Sequence, residues 1–143
     1  MTRINLIEPT ELADQHLFAE WREIKMVPAS LKRSLRSKSI QQVLKSIPKE
    51  FTLNKGHVTF FYDKMQYLSE RYDLLSEELR QRGYRKELEW NTFSEYCGGI
   101  PSDFYTNYTP TPNALDIIRN RIRERISLKP KWYKYYSKAI YEI

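Results

Sequence analysis

Apolar residues recur at helical spacing in three long stretches of the chain, and polar residues fill the positions between them. In the first stretch, Leu17, Trp21 and Ile24 follow one another at steps of four and three residues, which places them on one face of a helix. Thr10 is a suitable N-cap, because its hydroxyl can accept a hydrogen bond from a backbone N–H of the first turn. The pattern therefore predicts a helix over about residues 11–25, with room to resume after Pro28.

The second and third stretches are also helical in period. Residues 59–82 predict a long helix, and Gly83 is its predicted C-cap because glycine readily adopts the left-handed conformation that ends many helices. The apolar face of this helix comprises Phe61, Met65, Leu68, Tyr72, Leu75 and Leu79. A third helix should begin near Pro112 or Asn113 and end before Pro130. Its predicted buried stripe consists of Leu115, Ile118, Ile122 and Ile126.

The regions between these helices indicate loops. Glycines and prolines punctuate the stretch between the second and third helices, and no segment shows the alternation typical of a strand. A chain of 143 residues is long enough to bury a substantial core. We therefore predict an all-α protein with a single domain over residues 1–143. It should have about three main helices, long connecting loops and an aromatic, basic C-terminal tail.

Composition argues against several classes of protein. No apolar run approaches the roughly 20 residues that cross a bilayer, and the N-terminus lacks the apolar stretch of a signal peptide. Cys97 is the only cysteine, and His16 and His57 are the only histidines, so neither an internal disulfide nor a typical zinc site is expected. We expect a soluble, intracellular monomer that is not secreted, has no membrane partner and needs no metal or other cofactor.

The net charge of +6 is concentrated near the C-terminus. Residues 119–138 contain eight basic residues and one acid, Glu124. The basic residues are Arg119, Arg121, Arg123, Arg125, Lys129, Lys131, Lys134 and Lys138. Clustered cations of this kind are typical of a protein that binds a polyanion, although a solvated charged face is the alternative.

Aromatic residues alternate with the lysines at the end of this region, in the segment LKPKWYKYYSKAIY. Cations can hold a phosphate backbone while aromatic rings stack on bases or wedge between them. Packing in the core is the alternative for Tyr136 and Tyr141. On the third helix, Arg121 and Arg125 lie four residues apart and could contact two phosphates from one face. These features together favour a nucleic-acid-binding protein.

The first helix carries candidate chemistry on its polar side. His16, Glu20 and Glu23 fall within about 60° of one another, and Gln15 and Arg22 share a neighbouring stripe. Two nearby carboxylates repel, and burial would raise the pKa of one of them, which suits general acid–base catalysis. The alternative is an ordinary amphipathic helix with solvated charges. A second candidate is Thr2, because removal of Met1 would expose an α-amine with a pKa of about 7.7–8.0, low enough to act as a nucleophile.

Other familiar motifs are absent from the sequence. It contains no GxxxxGK[ST], GxSxG, HExxH or CxxC pattern. His57 lies in the segment GHVTFFYDK, which resembles a turn leading into a helix, and we expect a structural role for it.

Five blocks carry a family resemblance: MTRINL, ELADQHL, EWRE, GHVTFFYDK and PKWYKYYSKAIY. Together they resemble the pyrimidine-dimer-specific DNA glycosylases with AP lyase activity of phage and algal viruses. The resemblance implies a DNA-repair enzyme that cleaves the glycosidic bond of the 5′ pyrimidine of a cyclobutane dimer and then nicks the strand by β-elimination. The implied partners are duplex DNA with pyrimidine dimers or abasic sites, and undamaged duplex bound non-specifically.

The same resemblance implies roles for individual residues. Thr2 matches the nucleophile, whose amine forms an imine with the sugar, and Glu23 matches the catalytic glutamate. The residues implied to contact DNA are Arg3, Gln15, His16, Arg22, Arg121, Arg125, Trp132, Tyr133 and Lys134. Met26 stands where the phage member has an arginine, and Lys25 is the candidate to replace that phosphate contact.

Two alternative functions remain open at this point. One is a non-enzymatic architectural protein that bends DNA with its helix arginines and aromatic tail. The other is a nuclease that holds Mg²⁺ at Glu20 and Glu23.

Overall fold

Helices make up most of the part of the chain described by this computed structural model, residues 3–84 and 91–139. The α-helices are α1 Asp14–Glu23, α2 Met26–Leu35, α3 Ile40–Ser46, α4 His57–Phe60, α5 Met65–Gln81, α6 Phe93–Tyr96 and α7 Pro112–Leu128. Short 3₁₀ turns occupy Pro9–Glu11 and Ser102–Phe104. Two antiparallel strands, β1 Lys134–Tyr135 and β2 Lys138–Ala139, form a small hairpin in the tail. The prediction of a mostly helical fold is confirmed.

The core lies mainly between α1 and α5, and buried side chains of α7 belong to the same cluster. Leu17 of α1 and its C-cap residue Ile24 are fully buried. Leu68 and Leu75 of α5 and Ile118 of α7 are fully buried as well. Full burial of such a side chain stabilises the fold by about 1.5–3 kcal/mol. The predicted apolar faces are therefore the faces that pack. None of the helices in residues 3–84 and 91–139 is long and apolar enough to cross a membrane.

The first helix differs from its predicted bounds. A separate 3₁₀ turn occupies Pro9–Glu11, and extended backbone at Leu12 ends it, so α1 starts only at Asp14 and Thr10 is not its N-cap. Helix α2 starts directly after α1, ahead of Pro28. Proline is tolerated there because the first turn of a helix has no acceptor for its backbone N–H groups.

Helix α3 was not predicted from its short apolar pattern, although its start has a local signal. The Ser39 hydroxyl accepts a hydrogen bond from the backbone N–H of Gln42, and the Gln42 side chain accepts one from the backbone N–H of Ser39. This reciprocal pair is a capping box, which satisfies two backbone donors that the helix cannot.

The second predicted helix is broken near its start. Helix α4 ends at Phe60, and α5 begins at Met65, because Lys64 has non-helical backbone and pairs with Tyr105 in an isolated antiparallel bridge. Its predicted end is confirmed: Gly83 has φ of +97°, and the backbone N–H of Tyr84 donates to the carbonyl of Leu79. This is the hydrogen bond that closes many helices ending in glycine.

Helix α7 matches the prediction for the third helix. It starts at Pro112, and the Thr111 hydroxyl accepts a hydrogen bond from the backbone N–H of Ala114. The hairpin that follows in the tail was not predicted, because two residues per strand are too few to show an alternating pattern.

Candidate active site

The N-terminal arm, residues 3–7, is held from three sides. The backbone N–H of Ile4 donates to Nε2 of His57 at 2.9 Å, and that of Asn5 donates to Oε1 of Glu20 at 3.1 Å. The carbonyl of Ile7 accepts a hydrogen bond from Arg71 at 2.7 Å. The partners come from α4, α1 and α5, so the path of the arm is set by three separate elements.

Glu20, one of the two carboxylates of α1 considered for acid–base catalysis, is a buried structural residue. It is 1% exposed, and its two carboxylate oxygens accept hydrogen bonds from the Arg71 guanidinium at 2.6 and 3.0 Å. Positions four apart share a face of a helix, and Ile24, four residues further on, is fully buried. Glu20 is therefore drawn into the core, where Arg71 compensates its charge.

This placement also removes one ligand from the Mg²⁺ nuclease hypothesis, since both oxygens of Glu20 are taken by Arg71. Within residues 3–84 and 91–139, no three His, Cys, Asp or Glu side chains are grouped so that they could hold a metal ion.

An arginine cluster, Arg3, Arg121 and Arg125, reaches the predicted catalytic Glu23 through Arg3. Burial lowers the pKa of the Arg3 guanidinium, Arg125 lowers it further, and Glu23 opposes both effects. Burial also lowers the pKa of Arg121, and its neighbours Arg3 and Arg125 add to this. The N-terminal arm, α1 and α7 thus bring three cations and one carboxylate close enough to influence one another.

Two neutral histidines lie against this cluster. Burial, together with Arg121 and Arg125, lowers the pKa of His16 to about 4. Burial likewise lowers the pKa of His57 to about 4, although the hydrogen bond to the Thr52 carbonyl opposes the shift. Since Nε2 of His57 accepts from Ile4, its Nδ1–H must donate to Thr52, at 2.8 Å. Both nitrogens of His57 are thus engaged, which agrees with the structural role expected for it.

The tail is fastened to the first turn of α1 by consecutive residues. The Asp14 carboxylate accepts hydrogen bonds from the backbone N–H groups of Tyr136 and Ser137, at 3.0 and 2.8 Å. These two residues form the hairpin turn, and both have positive φ, 50° and 66°. Such backbone is unfavourable for residues other than glycine, so the carboxylate contributes to holding it.

Gln15 and His16 continue this attachment. The Gln15 amide donates to the carbonyl of Trp132 at 2.7 Å and accepts from the backbone N–H of Lys134 at 3.0 Å. The His16 ring stacks on Tyr133, with 4.7 Å between ring centroids. Three of the predicted DNA-contacting residues, Gln15, His16 and Tyr133, therefore also join the tail to the helix that carries Glu23.

The remaining predicted residues lie further from the cluster or on the surface. Trp132 is 55% exposed. Arg22 is exposed and lies 5.7 Å from the centre of the Phe18 ring, while the Lys25 ammonium lies 5.6 Å from the centre of the Tyr96 ring. Tyr136 is 40% exposed, so the alternative of core packing is wrong for it. Thr2 and Tyr141 lie outside the described residues.

Two arginines that support the site were assigned no role from the sequence. Arg71 interrupts the buried stripe of α5 between Leu68 and Leu75, a position where a cation requires a buried partner. The Arg82 side chain is fully buried and donates to the carboxylates of Asp14 and Glu78, at 2.9 and 2.8 Å. Arg71 could have been found from its position on the apolar stripe, whereas nothing local marks Arg82.

Comparison with known protein families gives one match that bears on this site. A family model described as pyrimidine dimer DNA glycosylase matches residues 1–92, which is more than half of the chain. The matched region contains the N-terminal arm, His16 and Glu23. Arg121, Arg125 and the tail lie beyond it.

Proposed function

Because this chain belongs to the pyrimidine dimer DNA glycosylase family, we propose that it cleaves the glycosidic bond of the 5′ pyrimidine through an imine formed by its own N-terminal amine. Membership makes it a DNA-repair enzyme that acts on DNA containing pyrimidine dimers. In the finer proposal, removal of Met1 exposes the α-amine of Thr2, which attacks C1′ of the 5′ nucleotide of a cyclobutane dimer. The same intermediate then permits cleavage of the strand.

The observation that carries this proposal is the position of Arg3. Glu23 and Arg125 both shift the pKa of Arg3, so the residue next to Thr2 lies beside the candidate acid and the cations of α7. Consecutive Cα atoms are about 3.8 Å apart, which limits how far the amine can be from Arg3. The hydrogen bonds that Ile4 and Asn5 donate to His57 and Glu20 hold the backbone that leads to it.

The charges around this position favour a reactive amine. An amine must be neutral to attack carbon, and neighbouring cations disfavour its protonated form. Arg3, Arg121 and Arg125 outnumber the single carboxylate of Glu23 in the cluster. The same cations attract the phosphates of a DNA substrate, so one set of residues serves both purposes.

Glu23 has two tasks in the proposed reaction. As the nitrogen of Thr2 bonds to C1′, the glycosidic bond breaks and the 5′ base takes its electron pair, while the cyclobutane ring still joins that base to the 3′ pyrimidine. The Glu23 carboxylate stabilises the positive charge that develops on the sugar. It accepts a proton from the Thr2 nitrogen and passes that proton to the ring oxygen as the ring opens. The resulting iminium makes the C2′ proton acidic, and loss of that proton expels the 3′ phosphate. An abasic site, which already carries an aldehyde, would enter at the imine step.

The substrate must be distorted before the amine can reach C1′ inside a duplex. Enzymes of this kind meet the cost of unstacking with phosphate contacts, and a damaged pair is already weakened. Arg22, Arg121 and Arg125 are the proposed phosphate contacts, and the exposed Trp132 can stack on a base. One chain supplies every proposed group, so we expect activity from a monomer.

Borohydride reduction tests the intermediate directly. In dimer-containing duplex, the native protein should form a covalent adduct with DNA because borohydride reduces an imine to a stable amine. A variant with one residue inserted ahead of Thr2 should form none and should not nick the strand. EDTA should leave nicking unchanged. Full strand cleavage by the variant with the insertion would exclude Thr2 as the nucleophile, and a non-enzymatic DNA-bending protein would form no adduct at all.

Substitution of Glu23 tests the second assignment. Glu23→Gln keeps the shape of the side chain but removes its charge, so binding to dimer DNA should persist while base release falls by at least about 100-fold, the usual scale for general acid–base groups. Photoreversal of the cyclobutane ring frees the detached base, so its single-turnover release can be measured, and equilibrium binding separates the two effects. Near-normal release by Glu23→Gln would contradict the role.

A further inference from the structure

A second basic segment precedes α4. Residues 25–55 contain eight basic residues and one acid, Glu50, which gives a net charge of +7. The basic residues are Lys25, Lys32, Arg33, Arg36, Lys38, Lys45, Lys49 and Lys55. Residues 119–138 also have a net charge of +7, so the rest of the chain, with a total of +6, has a net charge of −8. The cationic charge is therefore divided between two segments.

The cations of residues 25–55 form no ion pair with an acid of the described residues. In the described part of the chain, ion pairs within 4.0 Å involve Lys64, Arg71, Arg80, Arg82 and Arg119, and none involves a cation of this segment. Arg71 and Arg82 are buried structural cations, whereas Lys38 and Lys55 are exposed. A surface with cations and no paired acids is typical of a site for an anionic partner.

A surface cavity of about 410 Å³ lies between α2, α3 and the turn that precedes α4. Lys38 and Lys55 line it, together with the hydroxyl-bearing residues Ser34, Ser46 and Thr59. We name it the Lys38–Lys55 cavity. Gly56 also lines it and packs so closely on Pro48 that an added Cβ would lie 2.8 Å from the proline ring. The wall of the cavity is therefore built by tight packing of the loop.

The loop of residues 48–56 connects this cavity to the candidate active site. Leu53 lines a second cavity, of about 500 Å³, together with Arg121 and Arg125. Lys55, two residues later, lines the Lys38–Lys55 cavity. The next element starts with His57, which binds the N-terminal arm. The two cationic segments thus approach each other across a single loop.

We propose that the Lys38–Lys55 cavity binds a backbone phosphate of duplex DNA that flanks the lesion. The proposal rests on the DNA-repair function proposed above and adds a binding site to it. A lysine ammonium is a compact charge with three donors, and the hydroxyls of Ser34 and Thr59 can donate to the remaining phosphate oxygens. The Ser46 hydroxyl already donates to the carbonyl of Val43. Such contacts set the position of a protein on DNA without reading its sequence. The cavity thus fixes the register of the duplex relative to the amine and Glu23.

The test compares two double variants that remove equal charge from the same segment. Lys38→Gln/Lys55→Gln changes the cavity, and Lys45→Gln/Lys49→Gln is the matched control outside it. Binding to an undamaged duplex is measured between 50 and 200 mM salt. Loss of one phosphate contact makes the slope of log K against log salt less steep by about 0.9. Over this fourfold range of salt, the loss of affinity is then smaller than that of the native protein by a factor of about 3.5. We expect that change for the cavity variant and a smaller one for the control.

A second measurement locates the phosphate. Single neutral methylphosphonates are placed along one flank of a dimer-containing duplex. The native protein and the control should lose affinity at one flanking position, and the cavity variant should not respond there. Equal slopes for the two variants, or equal responses of all three proteins at every position, would overturn the proposal. Failure of the native protein to nick dimer DNA would instead refute the proposed function, while the slopes on undamaged duplex would still decide whether the cavity binds phosphate.

Discussion

The buried pair between Glu20 and Arg71 allows a stringent test of the roles assigned to the two glutamates of α1. Glu20→Gln preserves the size of the side chain and one acceptor oxygen, but it leaves Arg71 without a carboxylate. The Glu20 side chain is 0% exposed and the Arg71 side chain is 4% exposed, so water cannot replace the lost partner. The backbone N–H of Asn5 also loses a charged acceptor, which loosens the N-terminal arm.

The cost follows from the burial of the remaining cation. Removing one partner of a buried ion pair costs about 3–5 kcal/mol, because an uncompensated charge stays in the core. For a chain of this size, 1 kcal/mol shifts the melting temperature by about 2–4 °C, so the shift should be on the order of 10 °C. Urea denaturation should show a lower midpoint with an unchanged slope, the sign of a true change in stability.

Glu11→Gln is the matched control. Glu11 pairs with Arg119 at 3.2 Å, but these side chains are 43% and 40% exposed, and exposed pairs contribute at most about 1 kcal/mol. Glu23→Gln should also leave the free energy of unfolding within about 1 kcal/mol of the native value. The reasoning fails if Glu20→Gln costs less than about 1 kcal/mol. It also fails if folded Glu20→Gln protein loses all base release while Glu23→Gln protein keeps it.

Three further predictions concern stability. The pKa of both His16 and His57 is lowered to about 4 in the folded protein, so as the pH falls below about 6.5 these histidines are protonated in the unfolded chain first. The free energy of unfolding should therefore drop between pH 6.5 and 4, by on the order of 3 kcal/mol per histidine. Denaturation at a series of pH values checks this. Asp14→Asn removes the charge that binds Arg82 and the hairpin turn, so it should lower the free energy of unfolding by about 2 kcal/mol or more. It should also speed limited proteolysis of the tail. An unchanged cleavage rate would contradict the anchoring role. In Gly83→Ala the added Cβ meets no atom within 4 Å, but the residue must keep φ near +97°, which is unfavourable for alanine. Thermal melts should show a loss of about 1–2 kcal/mol in the free energy of unfolding. A stabilised variant would refute the backbone argument.

Features that depend on neighbouring residues could be predicted from the sequence. The apolar faces of α5 and α7 follow from spacing along the chain, and the ends of these helices follow from Gly83 and Pro112, because periodicity and capping act within a few residues. The concentration of basic charge near the C-terminus is also a property of the sequence. The break at Lys64 was not predictable, since its bridge partner, Tyr105, lies 41 residues away.

The roles of individual charged residues were decided by tertiary structure. Glu20 and Glu23 are the same residue type three positions apart on one helix, and the sequence alone made both of them candidate acids. Arg71, 51 residues away, pairs with Glu20, while Arg3, which lies beside the arginines of α7, is near Glu23. A helical period fixes which residues share a face. Only the packing of distant elements fixes which of those residues is buried and which cation lies beside it, and these two factors determine whether a carboxylate serves the core or a reaction.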